Sequence, residues 1–75
     1  MELTPLKIKQ AEPNGYAEFL AGRMLYGTYA DKVFMEISIE HSGHNSSATI
    51  VFHDEDLVAL RDWLNTAIEV QEKKS

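Results

Sequence analysis

Within the stretch "SATIVFHDEDLVALRDWLNTAIEV", residues Ser47 to Val70, the hydrophobic period changes from two to three-and-a-half. Up to His53 apolar and polar residues alternate, as in a strand with one buried face. From Leu57 the apolar residues recur three and four apart: Leu57, Leu60, Trp63, Leu64, Ala67 and Ile68 form one helical stripe. Arg61, Asp62, Asn65, Glu69 and Glu72 fall on the wet side. No single element accommodates both periods. A strand must therefore give way to a helix close to "HDED", and the helix is expected over about Glu55 to Lys73.

The residues upstream supply a partner for that strand. "KVFMEISIE" places Val33, Met35, Ile37 and Ile39 on one face and Phe34, Glu36, Ser38 and Glu40 on the other. "HSGHNSS" is read as a polar loop, after which "ATIVFH" returns with Ala48, Ile50 and Phe52 on one side and Thr49, Val51 and His53 on the other. Together they predict an antiparallel hairpin whose apolar face packs on the helix stripe. Earlier, "PLKIKQAE" reads as a short edge strand with Leu6 and Ile8 opposed to Lys7 and Lys9, and "EPNG" as a turn.

"YAEFLAGRMLYG" is ambiguous. Strand alternation would leave both faces apolar, whereas on a helical wheel Ala17, Leu20, Ala21, Met24 and Leu25 share an arc. Asn14 can cap such a helix, and Ala, Glu, Leu, Arg and Met favour one. Gly22, Gly27 and the three tyrosines argue for a strand instead. A helix near residues 16–26 is the expectation, and a strand or hairpin the alternative. The predicted fold is a single α+β domain over residues 1–75. It has an antiparallel sheet of about three strands, four in the alternative, packed against the C-terminal helix.

A chain of 75 residues builds one modest core. It has no cysteine, so neither disulfides nor thiolate metal sites can staple it. Association with another chain, as a homodimer or with a different partner, is the remaining staple. The net charge is −5, and from Asp31 to Glu72 nine acidic residues face only Lys32 and Arg61. Phosphate backbones repel such a surface, so direct nucleic-acid binding is disfavoured. No apolar run approaches a membrane span and "MELTPLKIKQ" lacks a signal-peptide pattern, so a soluble, cytoplasmic protein is expected.

Little here points to catalysis. Asp54 stands where an N-cap belongs, Glu55 and Asp56 follow at the positive end of the helix dipole, and Lys73 and Lys74 lie at the other end. Capping thus accounts for "HDED" without chemistry. Glu40, His41 and His44 could ligate a divalent metal, but their spacing matches no recognised site, and no metal or cofactor is expected. Ser38, Ser42, Ser46 and Ser47 lack a nucleophile setting, and the four glycines form no phosphate loop. Phe34 and Val51 differ from the other apolar residues, because they point away from the face that takes the helix. They are then either covered by the helix near residues 16–26 or exposed, with Glu36 and Glu40 around them, as an apolar patch with a charged rim, the mark of an interaction surface.

The segment from Lys32 to Val70, strand, loop, strand and then "HDEDLVALRDWLNTAIEV", resembles the C-terminal half of many small acidic proteins of bacteriophages and mobile elements. That resemblance implies a class that binds and blocks host machinery. It implies no site residue, because the class shares none.

The function expected from the sequence is protein binding without enzymatic activity, with the partner's basic surface as target. The residues assigned to that contact are Phe34, Glu36, Glu40, Val51, Asp62, Glu69 and Glu72. Two other roles fit the same chain. One is an accessory subunit or homodimeric domain; the other is a metal-binding module using the histidine loop.

Overall fold

A computed structural model describes residues 2–74. Four strands, β1 (Leu6–Glu12), β2 (Gly15–Arg23), β3 (Val33–His41) and β4 (His44–Phe52), precede one helix, α1 (Asp54–Lys74). The strands form an antiparallel meander in the order β1-β2-β3-β4. The α+β class and the sheet-then-helix order follow the sequence reading.

The expected helix near residues 16–26 is a strand. β2 is bonded on both sides, with Phe19 opposite Ile8 of β1 and Ile37 of β3. Two ladders of backbone hydrogen bonds outweigh a local helical preference worth tenths of a kcal/mol per residue. The chain then leaves β2 through a loop that Met24 and Asp31 close. Met24 N–H donates to the Lys32 carbonyl at 2.8 Å, Asp31 N–H donates to the Met24 carbonyl at 2.9 Å, and Arg23 pairs with Asp31 at 3.2 Å.

The polar segment 41–47 is likewise shorter as a loop than expected. Only Ser42 and Gly43 turn, with φ of 50° and 84°, and His41 faces His44 across the end of the ladder. Positive φ at both turn residues is the geometry whose twist suits a tight hairpin, and Gly43 adopts it without a Cβ penalty. Glu40 Oε1 accepts the Gly43 N–H at 3.2 Å. The first turn, at Pro13 and Asn14, lies beside this one: the Ser42 N–H donates to the Asn14 carbonyl at 2.9 Å.

The register sorts the residues by face. Leu6, Ile8, Ala17, Phe19, Ala21, Val33, Met35, Ile37, Ile39, Ala48, Ile50 and Phe52 share one side. Lys7, Lys9, Tyr16, Glu18, Leu20, Phe34, Glu36, Glu40, Thr49 and Val51 share the other. On this second face Lys7 Nζ lies 3.6 Å from Glu18, Lys9 sits 4.3 Å from the Tyr16 ring centroid, and the Thr49 hydroxyl donates to Glu36 at 3.3 Å.

The helix begins one residue earlier than the sequence suggests. The His53 carbonyl accepts from Leu57 N–H at 3.1 Å, which makes His53 the N-cap and Asp54 the first helical residue. The carboxylate that closes the cap belongs to Asp56, whose Oδ2 accepts the His53 N–H at 3.1 Å. This is one half of a capping box, with the acid at the third helical position. Asp56→Ala is therefore expected to cost roughly 0.3–1.5 kcal/mol, more than Asp54→Ala, which loses only a dipole interaction. Urea titrations of the two variants check that order. Asp54, Glu55 and Asp56 in the first turn and Lys73 and Lys74 in the last complement the dipole as expected.

α1 meets the sheet only at β4, from which His53 alone separates it. The stripe and the apolar sheet face therefore do not close over each other within one chain. Among the described residues no hydrophobic side chain is buried: Ile37, Ile50, Trp63 and Ile68 remain 53, 59, 66 and 55% exposed. The Cα radius of gyration is 15.0 Å, against about 11 Å for a compact domain of this length.

Candidate protein-binding surface

Phe34 and Val51 are directly opposed on β3 and β4, on the face away from the apolar sheet surface. Leu20 and Gly22 of β2 are on the same face, with Gly22 opposite Phe34. The Phe34 ring lies over Gly22, so close that a Cβ there would stand 3.3 Å from Cε1. Pro5 Cβ would stand 3.9 Å from the same Cβ. The absent side chain of Gly22 is what lets the ring lie down on the sheet.

Beyond Phe34 an apolar groove of ≈ 640 Å³ opens between the N-terminal segment and the loop after β2. Leu3, Pro5, Leu20, Met24, Tyr26 and Phe34 line it. Leu25 and Tyr26 project from the loop at 85 and 81% exposure, the two most exposed large apolar residues described. The sequence reading missed both as surface residues, because it placed Leu25 in a helical stripe. Gly27, which takes a φ of 95°, was the signal that the chain turns there.

The residues assigned from sequence do not form one cluster. Phe34, Val51 and Glu36 are together: Glu36 follows Phe34 on the same face and is paired with Leu20 and Thr49. Glu40 is on that face too, but six residues along the strand, roughly 20 Å away, where it closes the Ser42–Gly43 turn. Asp62 and Glu69 lie one above the other on α1, opposite its apolar stripe. Each has a cation nearby, Arg61 at 3.0 Å from Asp62 and Lys73 at 3.3 Å from Glu69. Glu72 lies beside Ala67 and Ile68, at the edge of the stripe.

The histidine loop is divided by the register. His41 and His44 are on the apolar side of the sheet and Glu40 is on the other. No group of three His, Cys, Asp or Glu side chains stands ready for a metal among the described residues. Among those residues, too, no helix is long and apolar enough to cross a membrane.

Comparison with protein-family models, with curated proteins and with solved structures finds no match.

Proposed function

We propose that this chain is a non-catalytic protein-binding module that engages a basic surface of another protein, as small phage-type inhibitors do when they occlude a nucleic-acid-binding groove. The observation that carries this reading is the groove beside Phe34, with Leu25 and Tyr26 held out in solvent at its edge. Exposed aromatic anchors around a shallow apolar recess are what binding energy concentrates on. Glu36 beside the recess, Asp62 and Glu69 on the helix and the overall charge of −5 set the sign of the partner.

The test begins with a pull-down to identify the partner, followed by association kinetics. A variant with Glu36, Glu40, Asp62, Glu69 and Glu72 changed to Gln or Asn is expected to keep its melting behaviour within about 1 kcal/mol, since exposed charges stabilise little. Its association rate at low salt is expected to fall about tenfold or more, and the native rate to fall as salt rises. Tyr26→Ala is expected to act on dissociation instead. Equal association rates for the native and neutralised proteins would remove the charge-directed reading.

A further inference from the structure

Two apolar surfaces of this molecule face water, and each is what the other lacks. One is the sheet face built around Phe19, Ile37 and Ile50; the other is the α1 stripe from Leu57 to Ile68. We propose that a second copy of this chain covers the sheet face, each copy laying the stripe of its α1 across the sheet of the other.

Three observations select this occupant. The first is area. The chain exposes 6408 Å², whereas a compact monomer of its mass exposes roughly 4,700 Å². The surplus is about 1,700 Å² per chain, or about 3,400 Å² for a pair, inside the range of obligate homodimers.

The second is fit. Strands of nine residues are about 30 Å long, and a helix of 21 residues is about 31 Å long. The apolar part of each is shorter: the stripe from Leu57 to Ile68 runs about 17 Å, close to the roughly 20 Å over which Val33 to Ile39 line the sheet face. Exchange between two copies is reciprocal, so it closes with two-fold symmetry and leaves neither apolar surface over.

The third is the connection. His53 is the whole link between β4 and α1, and the Asp56 carboxylate on its N–H fixes the direction in which the helix departs. The helix leaves its own sheet at β4 and touches no other strand. At the β1 edge of the sheet, pairing with another strand is opposed by Lys7 and Lys9 and by Pro5 just before them.

Phe34, Glu36, Asp62 and Glu69 are outside this interface and Glu72 stands at its edge, so the surface proposed above for a basic partner stays open in the pair apart from Glu72.

The chain has no cysteine, so introduced ones report without interference. Sedimentation equilibrium of the native chain at micromolar concentration is expected to give twice 8.5 kDa. Chains carrying Ile37→Cys, mixed under oxidising conditions with chains carrying Leu64→Cys, are expected to form a disulfide-linked pair. Thr49→Cys, on the opposite face, mixed with Leu64→Cys is expected to form little. A single chain carrying both Ile37→Cys and Leu64→Cys distinguishes the arrangements directly. Cross-linking between chains supports the exchange, whereas a cross-link within one chain of monomer mass shows the helix folded on its own sheet and overturns it. A native chain that sediments as a monomer, folded or unfolded, overturns it as well.

Discussion

Replacing Gly15 with alanine is expected to be among the most damaging single changes in this chain. Gly15 opens β2, opposite Glu12 across the first hairpin and opposite His41 across β3. A Cβ at this position would overlap the Glu40 carbonyl oxygen, stand 2.7 Å from the carbonyl carbon and 3.1 Å from the His41 Cα. All three obstacles are main chain, so no rotamer change relieves them. β2 and β3 must part at the end where both turns meet. The expected cost is on the order of 3 kcal/mol, enough to lower the melting temperature by roughly 10 °C or more in a domain this small. Gly22→Ala provides the comparison. There the neighbour is the Phe34 ring, which can tilt, so a smaller loss is expected. Thermal melts of the two variants measure the difference. A Gly15→Ala protein that melts with the native one would show that the strands do not approach this closely.

The second large effect concerns Ile37, in the middle of the apolar face. In an isolated chain this residue is 53% exposed, and Ile37→Asp there would cost about 1 kcal/mol, mainly through lost strand propensity. Under the helix of a second copy the same change buries an unpaired carboxylate, and a loss of roughly 3 kcal/mol or more is expected, with dissociation. Ser47→Asp, on the other face of β4, is expected to be nearly silent. Protein concentration offers a companion measurement. For a dimer that unfolds as it separates, a tenfold rise in concentration adds about 1.4 kcal/mol, so the native melting temperature is expected to climb by roughly 3–6 °C. A melt that ignores concentration, together with an Ile37→Asp cost of only about 1 kcal/mol, would place the face permanently in water.

Much of this architecture is legible in the residues, and the illegible parts have definite causes. β3, β4 and α1 announce themselves because one face of each is apolar and the other is not. β2 does not. Ala17, Phe19 and Ala21 belong to the apolar face, but Leu20 and Gly22 belong to the patch around Phe34, so both sides of the strand look apolar. Residues three and four apart then coincide as if on a helix. Only pairing with β1 and β3, which is not local, decides the matter. The cap was misplaced by one position, because three consecutive acids offer three candidate carboxylates and only side-chain reach selects Asp56. The patch of Phe34, Val51 and Glu36 was visible from alternation alone. Leu25 and Tyr26 were hidden with β2, since their exposure depends on where that strand ends. The open sheet face could not be foreseen from period, because the sequence pairs the stripe with the sheet without saying whether both belong to one chain.

The strand order carries a consequence for how the molecule is made. Every neighbouring pair in the sheet is also consecutive in sequence, so no long loop has to close before the ladder can grow. Each hairpin can form within microseconds, and a topology this local is expected to fold early and fast. The helix takes no part in that step. A newly made chain would thus reach its full sheet while Ile37, Ile39 and Ile50 still lack a cover. The step that follows, the arrival of another helix, is bimolecular and slows with dilution. At low concentration that step would set the pace of maturation, while the lysines on β1 discourage strand pairing at that one edge of the uncovered intermediate.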